Sequence, residues 1–569
     1  MPALSDYGLA ALIIASALCA HAQVPSSAPE SVPAAFPVAI EIDAGRVVGE
    51  LPPVWRFFGA DEPNYATMPD GKKLIGELGK LRPHQVYFRA HNLLCTGDGT
   101  AALKWGSTDI YTEDAEGHAV YNWKIVDDIF DTYLARGVRP YVQLGFMPKA
   151  LSINPEPYQH SWAPGLKYEK IMTGWSYPPK DYDKWRELAY QWTKHCVERY
   201  GRAEVEQWYW EVWNEPNGHY WKATPEEFRK LHDYAIDGVR RALPTARVGG
   251  PHTAGSGGQF HRDFLEHCIR GVNYANGGTG TPLDFISFHA KGAPTFVGDH
   301  VRMGISSQLT AIDKGFAIVA SYPETKNKPI VLGESDPDGC AACQGPQLGY
   351  RNGTLYSSYT AASFARKYQL ADKYGVNLEG AVTWAFEFEN EPWFAGFRVL
   401  ATNGVDLPVL NVFRMFAKMD GRRVLVNSSR EVPLDTMIKV GVRGESDVSA
   451  LAAFDPAKRQ LAVLLWHYHD DDVAGPDAAV DLVLKGLPGE AVAARATYYL
   501  IDQEHGNAFT AWKKLGSPTA PTPAEYAQLE AAGHLAEVAA PVLTAKAGGA
   551  TSVHVTLTRQ AVSLLILQW

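Results

Sequence analysis

Two carboxylates stand where segments with the character of buried β-strands come to an end. Glu215 belongs to an Asn-Glu-Pro motif that directly follows the aromatic run WYWEVW at 208–213. Glu334 closes the apolar segment PIVLGE at 329–334. A facing pair of carboxyl groups can cleave a glycosidic bond, because one protonates the leaving oxygen while the other attacks the anomeric carbon or activates water. The rings beside Glu215 favour a poorly hydrated wall, which keeps one carboxyl group of such a pair protonated.

Both acids belong to a series of apolar strands that alternate with amphipathic helices. The eight predicted strands are 54–61, 84–92, 139–148, 206–216, 246–253, 284–292, 329–336 and 379–389. Helical periodicity separates them, for example in 122–137, where the apolar residues fall on one face and a glycine closes the segment. Such alternation predicts the α/β fold class and a (β/α)8 TIM barrel. Strands four and seven lie on opposite sides of an eight-stranded ring, so their terminal side chains are expected to face each other across its mouth.

A second domain is predicted after about residue 425, because strands there follow one another with few helices. Only 523–533 reads as a helix in this part of the chain, which favours a β-sandwich. We therefore predict four parts of the chain. They are a signal peptide at 1–22, a linker at 23–37, the catalytic barrel at 38–424 and the β-sandwich accessory domain at 425–569.

The N-terminus has the features of a cleaved export signal. An apolar run at 8–23 ends in the small-x-small triplet Ala20-His21-Ala22, which predicts a secreted or periplasmic protein. The run is too short to span a bilayer comfortably. It departs from the usual pattern in one respect, since the residues before it include Asp6 and neither lysine nor arginine.

The amino-acid composition limits the classes of molecule that the protein is expected to bind. A net charge of −10 over 569 residues argues against a nucleic acid or an anionic membrane, because both require a basic surface. We predict an oligosaccharide substrate and neither a metal nor another cofactor, since no cysteine or histidine pair has zinc spacing. Five cysteines lie beyond residue 22, so at least one thiol is unpaired. Cys340 and Cys343 are the only close pair, and either a local disulfide or two buried thiols suits their loop. The oligomeric state is left open.

Several longer motifs resemble one known family. They are LGFMP at 144–148, VWNEPN at 212–217, FISFHAKG at 285–292, the stretch 395–415, and 501–518 in the second domain. The chain resembles glycoside hydrolase family 39, the β-xylosidase and α-L-iduronidase family, from about residue 40 to the C-terminus. That family belongs to a clan of retaining enzymes with (β/α)8 barrels.

The resemblance implies a function and a set of site residues. Glu215 would be the general acid/base and Glu334 the nucleophile of a double displacement that forms a covalent glycosyl-enzyme. The implied substrate-binding positions are His91, Phe146, Asn214, His289, Trp384 and Glu389, with Asn214 on the sugar 2-hydroxyl. The implied activity is that of a β-xylosidase in xylan degradation, an exo-glycosidase that removes terminal xylose from β-1,4-xylo-oligosaccharides. Two positions depart from the family pattern: Asn390 follows Glu389 where a second acid is common, and Lys291 replaces an aromatic residue.

Other interpretations stay open at this stage. The same fold could serve another sugar, such as an arabinoside, a glucoside or a uronide, or it could be a carbohydrate-binding barrel without activity. A metal-dependent hydrolase would need a cluster of histidine or aspartate ligands, which the strand ends do not obviously offer. Taken alone, Glu334 also suits a turn, and His289 suits a hydrogen-bonded core position.

Overall fold

The computed structural model describes residues 34–384, 386–488, 494–546 and 549–569. The predicted signal peptide and most of the predicted linker lie outside these residues. Within the described chain the predicted fold class is confirmed, since eight parallel strands close into a barrel and a large second sheet accompanies them. No helix in these described ranges combines the length and the apolar character that crossing a bilayer requires.

Eight parallel strands form the barrel. They are β1 (Phe57–Ala60), β2 (Val86–Ala90), β3 (Val138–Leu144), β4 (Tyr209–Val212), β5 (Arg247–Thr253), β6 (Phe285–His289), β7 (Pro329–Glu334) and β8 (Asn377–Thr383). Each strand pairs in parallel with the next, and β8 closes the ring by pairing with β1. Most of their residues are buried, as expected of strands covered on both faces.

Each barrel strand is followed by one main helix. They are α1 (Pro69–Leu81), α2 (Lys124–Leu134), α3 (Tyr182–Tyr200), α4 (Pro225–Ala242), α5 (Gly258–Arg270), α6 (Ile305–Ala320), α7 (Thr354–Tyr374) and α8 (Pro408–Ala417). Local sequence sets their ends, as at α4, where Thr224 and Glu227 form a reciprocal capping box and proline occupies the first turn. The rigid ring of helices holds the strand ends in fixed positions.

The lower part of the barrel is filled by side chains, as in a packed core. One cluster of buried residues fills the interior: Phe57, Tyr87, Tyr141, Tyr209, Phe285, Val331, Val382 and, directly after β8 at the carboxyl end of the barrel, Trp384. Tyr87 and Tyr209 pack edge to face with centroids 5.0 Å apart, and Phe57 stacks on Tyr87 at 5.0 Å. Solvent-facing chemistry is therefore confined to the carboxyl ends of the strands.

The second domain contains one hydrogen-bonded sheet of ten strands. In sheet order they are Ala536–Val538, Arg495–Ile501, Val562–Gln568, Gln460–Tyr468, Asp447–Asp455, Arg422–Ser428, Phe36–Glu50, Ala478–Lys485, Thr551–Leu557 and Thr544–Ala545. A single apolar cluster contains residues from both halves of this order, so the sheet folds over as the predicted β-sandwich. The helix predicted at 523–533 is present as Pro523–Gly533, and sequence analysis missed Ala508–Lys514 beside it.

The structure differs from the predicted domain boundaries at the N-terminal side. Phe36–Glu50 belongs to the second sheet, where it pairs with Arg422–Ser428 and Ala478–Lys485. Every second residue of the strand, Val38, Ile40 and Ile42, is buried in the sandwich core. This alternation is visible in the sequence, but the partner strands lie far along the chain, so the domain of the strand could not be predicted. The barrel therefore begins after residue 50, and the predicted start at 38 is wrong.

The two domains share a buried interface along α7. Arg366 of this helix makes a 2.7 Å ion pair with Asp447 of the second sheet, and both side chains are buried. Earlier in the chain, Cys340 and Cys343 form a disulfide in the loop after β7, which resolves the alternative left open by the sequence. Cys95, Cys196 and Cys268 are free and buried.

Candidate active site

Glu215 is presented by a tight turn at the end of β4. The backbone of Trp213 has φ 68° and that of Glu215 has φ 42°, both in a region that non-glycine residues seldom adopt. The N–H of Trp213 donates to Leu144 O, and the N–H of Glu215 donates to His252 O at 2.9 Å. Such strained residues persist where the surroundings over-determine them, and they cluster at functional sites. The turn fixes the Glu215 carboxylate at the mouth.

Glu334 is the last residue of β7 and is held by its neighbours on both sides. Its carbonyl accepts the N–H of Ala290 at 2.8 Å. The residue before it must be glycine, because a Cβ on Gly333 would lie 2.1 Å from the Nδ1 atom of His252. The Glu334 side chain is buried under the mouth and points toward Glu215.

Glu215, His289, Lys291 and Glu334 form what we call the mouth cluster. One carboxylate oxygen of Glu215 and one of Glu334 lie within 4.8 Å of each other. Lys291 Nζ lies 2.7 Å from Glu215 Oε1 and 2.6 Å from Glu334 Oε2. His289 Nδ1 lies 2.8 Å from Glu215 and 3.5 Å from Glu334. The predicted pair therefore meets across the mouth, with an ammonium group bridging it.

The charges of the mouth cluster set its protonation. Burial raises the pKa of Glu215, but the Lys291 ammonium and the His289 hydrogen bond outweigh it and hold that pKa well below its usual range. Burial likewise raises the pKa of Glu334, and Lys291 and His289 again bring the net shift downward. Burial lowers the pKa of Lys291, yet the two carboxylates raise it overall. Both acids are thus ionised around a protonated lysine.

The same residues also form a set of possible metal donors. Glu215, His289 and Glu334 each bring one ligand atom within 4.8 Å of the others. In this structure an oxygen of each carboxylate already contacts the Lys291 ammonium, so a divalent ion would have to displace that lysine. The absence of a metal from the function stays a prediction.

Beneath the mouth lies a second set of buried polar residues, Arg89, Tyr141, Glu211 and His252, which we call the floor cluster. Arg89 Nε lies 2.5 Å from Glu211 Oε1, and His252 Nε2 contacts the other oxygen of that carboxylate. Tyr141 OH lies 3.0 Å from His252 Nε2. Burial raises the pKa of Glu211 to about 8, although Arg89 opposes the shift.

The floor cluster positions Asn214, the residue predicted to contact the sugar 2-hydroxyl. Arg89 donates from NH2 to Asn214 Oδ1 at 3.0 Å, which leaves the Asn214 amide NH2 as a donor. The NH1 group of Arg89 lies 3.1 Å from His91 Nε2. Because arginine only donates, Nε2 of His91 accepts and its Nδ1 carries the proton.

The other predicted substrate residues are brought together around the mouth with one exception. The His91 ring packs 4.3 Å from Trp384 and 5.6 Å from Phe146, and His289 belongs to the mouth cluster. Glu389 is the exception, because its carboxylate accepts the N–H of Asp70 at the start of α1, and its role at the sugar stays a prediction. A sugar that lies between Glu215 and Glu334 would thus find aromatic walls.

Several residues of this site were not predicted from the sequence. Arg89 and Glu211 were overlooked, and Lys291 was noted only as a departure from a family pattern. A signal existed for two of them: side chains two residues apart share one face of a strand, which places Arg89 with His91 and Lys291 with His289. Glu211 was hidden because its segment reads as a continuous aromatic run.

A (β/α)8 barrel with paired carboxylates at its mouth is suited to glycoside hydrolysis, and comparison with known proteins shows that the chain is a glycoside hydrolase and supplies its family. Residues 38–551 match glycosyl hydrolases family 39, so the chain belongs to that family. It is 26% identical to a β-xylosidase of Geobacillus stearothermophilus, over 80% of each chain. It is 24% identical to the human α-L-iduronidase, over 89% of this chain and 75% of that enzyme. The fold resembles a monomeric β-xylosidase from Caulobacter crescentus CB15 with TM-score 0.71, 20% identity and coverage of 93% and 99%.

Proposed function

We propose that this chain is a retaining exo-glycosidase that works by double displacement. The observation that carries the proposal is the pair Glu215 and Glu334, whose oxygens approach within 4.8 Å. Retaining enzymes place their two carboxyl groups about 5–5.5 Å apart, whereas inverting enzymes need about 6.5–9.5 Å to admit a water molecule. The close approach favours direct attack on the anomeric carbon.

In the proposed reaction, Glu334 attacks the anomeric carbon and Glu215 protonates the leaving oxygen. The glycosyl-enzyme ester is then hydrolysed by a water molecule from which Glu215 takes a proton. The Asn214 amide, oriented by Arg89, donates to the sugar 2-hydroxyl, a contact that strengthens as charge develops on the ring. The supporting observation is that Asn214, Glu215 and Glu334 all lie at the carboxyl ends of β4 and β7.

Lys291 adds a requirement to this mechanism. While its ammonium contacts both carboxylates, Glu215 is ionised and has no proton to donate. A productive complex therefore needs Lys291 to move its charge away from Glu215, which raises the pKa of that carboxyl group toward the value that a general acid requires. The 19% exposure of the Lys291 side chain leaves it freedom to turn.

We infer a terminal β-xyloside as the first candidate substrate. The support comes from the β-xylosidases among the curated relatives, which match the chain at 24–26% identity. Oligosaccharides of β-1,4-linked xylose would then be the natural substrates. A second candidate is a uronide, and a single observation favours it: the Lys291 ammonium stands beside the reacting carbon, where a sugar carboxylate would attract it away from Glu215.

A panel of aryl glycosides tests the function and separates the two sugars. The panel contains p-nitrophenyl β-xyloside, α-L-arabinoside and β-glucoside together with 4-methylumbelliferyl α-L-iduronide and β-glucuronide. We expect release of the aryl group from at least one of them at a rate that a chelator leaves unchanged, and NMR should show the first-formed sugar with the anomeric configuration of the substrate. A first-formed sugar of opposite configuration would contradict the double displacement.

The variant Lys291→Met sharpens the choice of sugar. If the substrate is a uronide, this change should lower kcat/KM for the uronide far more than for a neutral glycoside, because only the uronide loses an ion pair. A surface lysine offers the matched control: Lys180 pairs with Glu113 away from the mouth, and Lys180→Met should leave both rates unchanged. Equal losses on both sugars would remove the argument for a uronide.

We also propose that the chain is exported. The support is the apolar run at 8–23 with its Ala20-His21-Ala22 triplet. Mass spectrometry of the protein recovered from the periplasm or the medium of a Gram-negative host should show an N-terminus near Gln23. Recovery of the full chain, with Met1 in place, from the cytoplasm alone would contradict export.

A further inference from the structure

Asp61 and Lys104 form a buried ion pair that the proposed reaction does not use. Asp61 directly follows β1, and Lys104 lies in the long connection between β2 and α2. The Lys104 ammonium contacts Asp61 Oδ2, and the two residues are only 5% and 4% exposed. Removing two charges from water costs several kcal/mol per ion, and mutual attraction often fails to repay it. Stability alone therefore gives a weak reason for this pair.

The pair adjoins the catalytic groups. Asp61 Oδ1 lies 2.6 Å from His91 Nδ1, and His91 Nε2 lies 3.7 Å from Glu334 Oε1. One imidazole ring thus separates the pair from the proposed nucleophile. Asp61 also accepts the side-chain amide of Asn92 on its backbone carbonyl at 2.7 Å, which fixes its position after β1.

Lys104 has a second contact on the side of the mouth. Its ammonium lies 5.0 Å from the centre of the Tyr168 ring, and the Tyr168 hydroxyl is hydrogen-bonded to that of Tyr220. The Tyr220 ring packs 6.1 Å from His91 and 5.6 Å from Phe146. An unbroken wall of contacts therefore runs from the pair around to the aromatic residues beside Glu215.

The charges of the site act on Lys104 as well. Burial lowers its pKa to about 7, and the negative charges of Glu334 and Glu215 oppose the shift, while Lys291 and Arg398 add to it. Lys104 thus shares one electrostatic neighbourhood with the reacting groups, yet the contacts of its ammonium are to Asp61 and Tyr168. Lys104 therefore lies on the Asp61 side of His91, and Glu334 lies on the other side of that ring.

We propose that Asp61 and Lys104 recognise a vicinal diol, the 3- and 4-hydroxyls at the end of the sugar remote from the anomeric carbon. The inference rests on the proposed function, since it assumes that Glu334 faces the anomeric carbon. A carboxylate accepts from one hydroxyl while an ammonium donates to its neighbour, so adjacent opposite charges match two adjacent hydroxyls. The pair makes a free 4-hydroxyl a condition of binding, which accounts for exo action.

Deoxygenated substrates test this assignment. The probes are p-nitrophenyl β-xyloside, or the best glycoside of the panel, and its 2-deoxy, 3-deoxy and 4-deoxy analogues. A site that hydrogen-bonds a hydroxyl rejects the analogue that lacks it, so we expect the wild type to lose at least about 10²-fold in kcat/KM on the 3- and 4-deoxy analogues. In Lys104→Met that penalty should shrink to less than about tenfold for at least one of them.

Two controls separate recognition from structural support. The 2-deoxy penalty should stay unchanged in Lys104→Met, because the 2-hydroxyl belongs to Asn214. Lys367 offers a matched buried lysine, since it is fully buried on α7 with Ser363 as its side-chain hydrogen-bond partner. Lys367→Met should leave all three deoxy penalties as they are in the wild type.

The results that overturn the inference are distinct from those that overturn the function. If Lys104→Met and Asp61→Asn lower the rates on all four substrates by one common factor, the pair has only a structural role. If the wild type hydrolyses no glycoside, the proposed function fails, and calorimetric binding of methyl β-xyloside and its 4-deoxy analogue then decides the role of the pair. Equal affinity of the wild type for these two sugars would refute recognition of the 4-hydroxyl.

Discussion

The mouth cluster and the floor cluster contain the same kinds of groups but shift the pKa of their glutamates in opposite directions. Both join glutamate, histidine and a cation, and both contain a buried glutamate supplied by β4 or the turn after it. In the floor, burial raises the pKa of Glu211 to about 8 although Arg89 lies 2.5 Å away. At the mouth, Lys291 and His289 overcome the same burial and hold the pKa of Glu215 well below its usual range.

The partners of the two cations account for this contrast. Arg89 is fully buried and its guanidinium is shared among Glu211, Asn214 and His91, so it cannot serve one carboxylate alone. Lys291 has one compact charge on a flexible, partly exposed stem, and both of its ion-pair partners are carboxylates of the mouth. The floor is therefore a fixed scaffold, and the mouth is a set of charges that a substrate can rearrange.

The strongest test of the comparison removes the proposed nucleophile. Glu334→Ala should lower kcat by about 10⁴-fold or more, because no other carboxylate at the mouth can form the glycosyl-enzyme. Turnover of the best aryl glycoside measures the loss. Because Glu334 also lies 3.5 Å from Arg89 of the floor cluster, the urea midpoint is measured alongside, so that a loss of folded protein is distinguished from a loss of chemistry. Near-normal turnover would show that the roles of the two acids are wrongly assigned.

The next test removes the proposed acid/base. Glu215→Ala should slow hydrolysis of poor leaving groups by about 10²–10⁴-fold, the usual contribution of a general acid. Substrates with very acidic leaving groups should still form the glycosyl-enzyme, which then accumulates and is visible by mass spectrometry. Added azide should partly restore the rate by attacking that intermediate. A uniform loss across all leaving groups, without rescue, would contradict the assignment.

A third test asks whether Lys291 sets the protonation of the mouth. Removing its ammonium in Lys291→Met raises the pKa of both Glu215 and Glu334, because each loses a neighbouring positive charge. Both limbs of the pH profile of kcat/KM should then move to higher pH, the acid limb through Glu334 and the basic limb through Glu215. Unmoved limbs would show that another group controls the protonation.

Sequence alone predicted the barrel because its signals are local. Strand and helix periodicities alternate along the chain, and parallel closure follows from them. The boundaries of the strands were predicted less accurately. The strand predicted at 206–216 is only Tyr209–Val212, because the N–H of Trp208 donates to the carbonyl of Val205 in a turn and the backbone of Trp213 has a positive φ. The first strand, Phe36–Glu50, was assigned to the wrong domain because its partners lie hundreds of residues away.

The site was predictable to the extent that it depends on strand ends. Glu215 and Glu334 follow from the rule that such barrels place chemistry at the carboxyl ends of their strands. The bridge by Lys291 could not be derived, because the direction of a long side chain depends on packing. Asp61 and Lys104 come from different connections, and only the folded chain brings them together. Glu211 could have been predicted as a buried acid, because it lies within the apolar run WYWEVW, but that run was interpreted only as hydrophobic packing.

Substitution of Glu211 is expected to have the smallest effect of these tests, a change in the pH dependence of stability, and it tests the floor cluster directly. Burial raises the pKa of Glu211 to about 8, so between about pH 4.5 and 8 the folded protein binds a proton that the unfolded chain has released. Stability must therefore fall as pH rises through this window, by up to about 1.4 kcal/mol per pH unit.

The variant Glu211→Gln tests this effect, because glutamine cannot ionise. Its stability should fall less than that of the wild type between pH 5 and 8, so the difference between its urea midpoint and that of the wild type should increase with pH. Glu113 supplies a control of opposite sign: burial raises its pKa, but hydrogen bonds from Lys180 and Lys184 bring it to about 2. Its contribution to stability therefore develops between about pH 2 and 4.5 and is constant above, so Glu113→Gln should lie below the wild type by a constant amount between pH 5 and 8. Parallel curves for the wild type and Glu211→Gln would mean that Arg89 keeps Glu211 ionised, and the floor would then hold its charges in the same state as the mouth.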